Sequence, residues 1–201
     1  MKKCILLSVI LLLTINGLLA QDDPDSEEKK GFNKENLFTG GSISLAFYNN
    51  TFLVGGSPVF GYSIAKWVDA GIVVNYNYTS YRDVSVFNDK LRQSVYGGGV
   101  FTKLYPIRFL FIQGQFEHNF IRQKYIPPNG QLSSTARVDA NSILVGGGYT
   151  SDRYPGSGQP FFYFAVLFDV AHNNNSPYKD GYGRTIPIIR GGIQVPLFQK
   201  R

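Results

Sequence analysis

The chain has 201 residues, a formal net charge of +6 and a single cysteine, Cys4. One cysteine excludes a disulfide framework and a thiolate metal site. No apolar run after residue 20 is long enough for a helix that crosses a bilayer, so helical membrane architecture is excluded as well.

At the amino terminus Lys2 and Lys3 precede an apolar run from Ile5 to Leu13 that continues to Gly17-Leu18-Leu19-Ala20 and stops at Gln21. These are the three parts of a secretory signal, with cleavage expected after Ala20. Cys4 would leave with it. Residues 21–36 follow as a charged tether: QDDPDSEEKK carries five acids and two lysines with no apolar residue. From Gly31 onward sixteen Lys and Arg stand against nine Asp and Glu. A basic chain can bind nucleic acid, but an exported one meets lipid head groups and lipopolysaccharide instead, so no nucleic-acid partner is expected.

Eight strands are expected next, over 38–48, 56–65, 69–80, 92–103, 108–120, 137–150, 160–172 and 185–198, with no helical pattern between them. The third contains AGIVVNYNY, in which Ala70, Ile72, Val74, Tyr76 and Tyr78 alternate with Gly71, Val73, Asn75 and Asn77. The fifth sets Leu110, Ile112 and Phe116 against Gln113, Gln115 and Glu117. The seventh sets Phe162, Phe164, Val166 and Phe168 against Tyr163, Ala165, Leu167 and Asp169, and the eighth opposes Ile189 and Ile193 to Arg190 and Gln194. The fourth and sixth contain GGG runs whose parity is ambiguous, and Arg137, Asp139 and Asn141 are expected to continue the polar face.

The connections alternate in length. Ala65–Asp69, Leu104–Ile107 and Ser151–Gln159 are compact turns, whereas Tyr81–Leu91, Arg122–Ala136 and Asn173–Arg184 are longer and polar. Aromatic residues gather near strand ends, with Trp67, Tyr105, Tyr149 and Tyr154 at one end and Tyr76 and Tyr78 at the other, where two membrane interfaces would lie. A soluble sandwich or lipocalin-like barrel could show the same alternation with its phenylalanines inside. The loop asymmetry, the aromatic belts and the frequent glycine favour an all-β, eight-stranded antiparallel up-and-down transmembrane β-barrel over residues 37–198, with a tail at 199–201. Both termini and the short turns would then be periplasmic and the long loops extracellular.

The signal ending at Ala20-Gln21, the stretch SPVFGYSIAKWVDAGIVVNYNY from Ser57 to Tyr78 and the closing RGGIQVPLF from Arg190 to Phe198 resemble the small outer-membrane β-barrel proteins of Bacteroidota, including PorT-like members, with eight-stranded OmpX-like barrels as architectural relatives. The resemblance implies a cell outer membrane location, insertion by the barrel assembly machinery and, for PorT-like members, an accessory role in secretion or envelope assembly.

An eight-stranded barrel is only wide enough to be filled by side chains. Asn75, Asn77, Gln113, Gln115, Glu117, Arg137, Asp139, Asp169 and Arg190 are expected to form a buried polar network inside it. The loops carry Arg82, Lys90, Arg92, Arg122, Lys124, Tyr125, Tyr178, Lys179, Tyr182 and Arg184, a basic and aromatic set suited to lipopolysaccharide phosphates or a protein partner. One catalytic alternative exists: His118 and His172 with Ser142 between them would resemble a lipid A-modifying barrel enzyme, although the His-x-Ser pattern of the deacylases is absent. No enzyme activity, catalytic residue, metal or cofactor is expected; KDGYG lacks the acidic spacing of a calcium loop.

Overall fold

The structure, a computed structural model, describes residues 32–48, 51–128, 132–151, 153, 158–179 and 184–198. The expected signal 1–20, the acidic run 21–30 and the tail 199–201 lie outside the described residues, as do Tyr154 and Tyr182. Residues 33–36, expected as tether, instead fold onto the barrel. A 3-10 turn at Lys34–Asn36 is capped by the Asn33 side chain. The Asn33 N–H and the Asn36 side-chain amide donate to the Tyr62 hydroxyl at 3.1 and 3.5 Å.

Eight strands follow: β1 (Leu37–Tyr48), β2 (Thr51–Ala65), β3 (Val68–Arg82), β4 (Lys90–Ile107), β5 (Leu110–Ile126), β6 (Ser134–Thr150), β7 (Phe161–Asp169) and β8 (Ile188–Pro196). Each pairs antiparallel with its neighbour in the chain, and β8 returns to β1 to close the barrel. Closure gives every strand a neighbour on both sides towards one end of the barrel, while β1 beyond Ile43 and β6 before Leu144 keep one neighbour only. The connections after β2, β4 and β6 share one end with the start of β1 and the end of β8. This is the terminal end, and the opposite one is the loop end.

Alternation on a pleated strand sends successive side chains to opposite faces. On β3, Ile72, Val74 and Tyr76 are 56, 58 and 53% exposed, while Val73, Asn75, Asn77 and Thr79 are buried. The same outward parity carries Ile43, Phe60, Val100, Phe116, Val145, Phe164 and Ile189, so every strand contributes an exposed apolar residue. Asp69, Lys103, Gln113, Glu117, Asp169 and Arg190 are buried in the lumen. An oily exterior around a polar interior inverts the soluble arrangement, and the fold is a transmembrane-type eight-stranded barrel.

Several boundaries differ from expectation. Leu104–Ile107 is not a turn: β4 runs through it with a register irregularity before Ile107, and residues 108–109 make the turn. The expected loop Arg122–Ala136 is mostly strand, because β5 and β6 pair as far as Tyr125 opposite Ser134. Conversely, β7 and β8 have nine residues each. Nine residues suit a tilted bilayer crossing; the 17 or 18 of β4, β5 and β6 exceed one, so these strands stand beyond it at the loop end.

Inside, apolar layers flank the polar middle. Tyr105, Phe111, Tyr163 and Ala165 cluster towards the terminal end, and Leu144, Leu167, Tyr178 and Ile188 towards the loop end, with Val95, Ile121 and Ala140 as a further cluster. Glycines allow close approach of neighbouring backbone and of inward side chains. Glu117 pairs with Gly99, where an added Cβ would strike the Phe116 carbonyl, and Tyr163 pairs with Gly192, where it would strike the tyrosine ring.

Candidate functional site

The lumen network is built mainly on β5, whose period of two stacks Gln113, Gln115, Glu117 and Asn119 in one inward column. Gln113 Nε2 donates to Gln115 Oε1 at 2.7 Å, and Gln115 in turn donates to Glu117 Oε1. Arg190 from β8 reaches across the barrel, its Nη2 donating to Glu117 Oε1 at 3.1 Å and its Nη1 to Gln115 Oε1 at 3.3 Å. Asn119 Nδ2 donates to Glu117 Oε2 at 3.2 Å, and Asn75 Nδ2 donates to Asn119 Oδ1 at 2.7 Å. Asn77 is buried on the same inward row of β3.

A second centre lies at the terminal end. Arg153, in the β6–β7 connection, donates through Nη2 to Asp69 Oδ1 at 2.9 Å and through Nη1 to the Lys66 carbonyl at 2.7 Å. Its guanidinium lies 3.7 Å from the centre of the Tyr105 ring. Gln194 Nε2 donates to Asp69 Oδ2 at 3.1 Å, and the Lys103 ammonium stands 4.0 Å from the Tyr163 ring centre. Sequence reasoning missed Asp69, Lys103 and Arg153. Lys103 shares inward parity with Phe101, a signal hidden until the GGG run beside it is assigned a face. Arg153 lies in a turn, where parity says nothing.

At the loop end Asp169 accepts from the Ser176 hydroxyl and from the backbone N–H groups of Ile143 and Ala171 at 3.1 and 3.0 Å. Among the described residues three carboxylates buried inside the barrel, Asp69, Glu117 and Asp169, balance three buried cations, Lys103, Arg153 and Arg190; a fourth buried carboxylate, Asp89, lies in the β3–β4 turn. The ions are held mainly by hydrogen bonds and ring contacts inside the barrel, with Arg190 Nε left unpartnered; an ion left wholly without partners would be costly in a low dielectric.

Three expectations need correction, and one alternative falls with them. Arg137, Asp139 and Asn141 are exposed and face outward, because Ala140, Ser142 and Leu144 take the inner parity of β6. Tyr105 points into the lumen rather than to an interface, whereas Trp67 and Tyr149 are 51 and 53% exposed and Tyr76 and Tyr78 lie on the outer face. Tyr178, expected in an exposed loop, enters the barrel and donates to Glu117 Oε2 at 2.6 Å. The catalytic alternative does not assemble: Ser142 is buried on the inner face, while His118 lies on the outer face with Nδ1 2.6 Å from Asn141 Oδ1. His172 sits in the β7–β8 connection with a φ of 53°.

The remaining loop candidates form a surface of their own. Register sets Arg82 opposite Lys90, Arg92 opposite Lys124 and Arg122 opposite Arg137, three like-charged pairs on the outer face of β3–β6. Among the described residues none of these six holds an ion pair or a side-chain hydrogen bond. Two residues nearer the girdle on β5 is Phe120, stacked on Tyr96 at 5.6 Å. Lys179 bridges to Thr185 in the β7–β8 connection, and Arg184 is exposed beside it.

Tyr125 is a strut rather than a free group. Its hydroxyl donates to Asp89 Oδ2 at 3.0 Å, tying β5 to the β3–β4 turn beyond the girdle. Asp89 also accepts from the N–H groups of Val84, Ser85 and Val86. Desolvation pushes the Asp89 carboxyl up, but those N–H donors and Tyr125 together hold it below its ordinary value. The bond to Asp89, with desolvation, raises the Tyr125 phenol.

No protein-family model and no curated protein sequence matches the chain. Solved structures similar to it are Ail, the attachment invasion locus protein of Yersinia pestis, in complex with the heparin analogue sucrose octasulfate (TM-score 0.40, 9% identity, covering 79% of this chain and 90% of that one) and Ail alone (TM-score 0.41, 9% identity, the same coverage). A third is the N-terminal β-barrel domain of Pseudomonas aeruginosa OprF (TM-score 0.35, 14% identity, covering 80% of this chain and 97% of that one).

Proposed function

We propose that the chain is a non-enzymatic outer-membrane barrel whose filled lumen is scaffold. Its working surface is the basic ribbon on the outer face of β3–β6, which binds phosphate groups of the surrounding leaflet's anionic lipids, lipopolysaccharide among them. The loop end faces outward from the cell. The observation that carries this reading is the set of three like-charged cross-strand pairs. Like charges directly opposite on neighbouring strands are destabilising, and an anion laid across them removes the repulsion. Their position supports the same ligand. Arg122 and Lys124 follow Phe120 along β5 by two and four residues, or about 7 and 13 Å, so they lie where head groups lie if the aromatic row marks the interface.

The test reads two quantities that should move in opposite directions. In Arg122→Gln/Arg137→Gln, binding of the reconstituted barrel to lipopolysaccharide should weaken by about 2 kcal/mol, near thirtyfold, at about 1 kcal/mol for each basic residue beside an anionic surface. The same double variant in neutral detergent should be more stable by about 0.2 to 1 kcal/mol, because the repulsion has gone. Unchanged lipopolysaccharide binding would overturn the proposal.

A further inference from the structure

The wall of the barrel is split between its first and last strands. The β1–β8 ladder ends where Ile43 meets Gly191, although β1 continues to Tyr48 and β8 begins at Ile188. Continuing that register would set Ser44 against Arg190 and Leu45 against Ile189. Instead each strand keeps only its other neighbour, β1 pairing with β2 and residues 188–190 with β7. Behind the split lies a cavity of about 330 Å³, bordered by Ser44 and Leu45 on one side and by Ile188, Ile189 and Arg190 on the other. That volume lies within the range of small-molecule sites.

The surroundings specify an occupant. Leu45 and Ile189, 61 and 52% exposed, belong to the apolar girdle, so the mouth opens sideways towards hydrocarbon rather than towards water. Leu53 and Val95 line the inner wall, and Ile186 and Pro187 line it from the β7–β8 connection. The floor is polar, formed by Asn77, Thr79, Tyr178 and Arg190. Both Arg190 Nη atoms are engaged, by Gln115 and Glu117, but its Nε is buried without a hydrogen-bond partner. Arg190 is only 4% exposed, so that donor cannot turn to solvent. Glu117 already neutralises Arg190 and would repel a second anion, so the floor suits a neutral polar end rather than a charged one.

We propose that the split admits, from the side of the membrane, one unbranched hydrocarbon chain whose inner end carries a neutral oxygen acceptor. The oxygen lies on the polar floor of Asn77, Thr79, Tyr178 and Arg190, and the chain runs out between Leu53 and Val95 to the lips at Leu45 and Ile189. This site is separate from the basic ribbon and does not depend on it.

The test uses the full barrel in nanodiscs of phosphatidylcholine and a long-chain alcohol with a diazirine at mid-chain, with labelled residues mapped by mass spectrometry after irradiation. Label should appear on the inward residues Leu53 and Val95, should be displaced saturably by unlabelled alcohol, and should fall by at least about tenfold when Leu53→Trp fills the cavity. Val95→Phe provides a second filling variant should Leu53→Trp fail to give heat-modifiable migration. The matching carboxylic acid should compete at least about tenfold less well than the alcohol. Label confined to outward residues such as Leu45 and Ile189, or unchanged by either filling variant, would overturn the site. An acid that competes as well as the alcohol would overturn the neutral acceptor.

Discussion

Glu117 accepts hydrogen bonds from Gln115, Asn119, Tyr178 and Arg190, side chains drawn from β5, β8 and the β7–β8 connection. Removing its cation alone strands a buried carboxylate, at a typical cost of about 3 to 5 kcal/mol. Arg190→Leu should therefore destabilise the barrel by that amount in denaturant titrations, and Glu117→Gln/Arg190→Leu should recover much of it. A double variant no better than the single one would show that the two ions are not coupled. Asp89 makes a different prediction. Its carboxyl sits below the usual value of about 3.9, so its contribution is fully present above that pH and is lost as pH falls through the lower folded value. Amide exchange at Val84–Val86 should stay slow from neutrality down to about pH 4 and accelerate below it, whereas Asp89→Asn should exchange faster already at neutral pH. At this scale the inner positions of Asn75, Gln113, Glu117 and Arg190 were legible, because each alternates with apolar neighbours. Arg137 and Asp139 were not, because the glycine run beyond them looks the same on both faces. Tyr178 reaches the lumen through a connection, whose path no local pattern encodes.

The number and order of the strands could be read from alternation, but their loop-end limits could not. On β5 beyond Phe120, Arg122 and Lys124 alternate with Gln123 and Tyr125, and a strand with polar groups on both faces reads as loop. Alternation is imposed by unlike surroundings on the two faces, and that difference fades where a strand leaves the membrane. Within the girdle the contrast should be large. Phe164→Arg on β7 should cost about 2 to 4 kcal/mol in reversible unfolding from vesicles. Ser134→Arg, at the exposed start of β6, should change stability by less than about 0.5 kcal/mol. The opposite ranking would mean that the phenylalanine face does not meet lipid.

For the whole molecule, charge is partitioned rather than spread. Among the described residues the lumen holds equal numbers of buried cations and carboxylates, while basic residues gather on the outer face of β3–β6. The sequence displays the excess but not this partition, which depends on the cross-strand register that brings Arg122 opposite Arg137. Everything proposed for the ribbon and the split wall rests on the exterior facing hydrocarbon. Spin labels placed singly along 162–168 in the reconstituted barrel test that directly, through their relative accessibility to oxygen, which concentrates in lipid, and to a polar nickel complex, which does not. Positions 162, 164, 166 and 168 should favour oxygen strongly and positions 163, 165 and 167 should be shielded from both reagents. Labels at 162, 164, 166 and 168 that meet the nickel complex as readily as oxygen, in a protein that stays monomeric without detergent, would contradict the account.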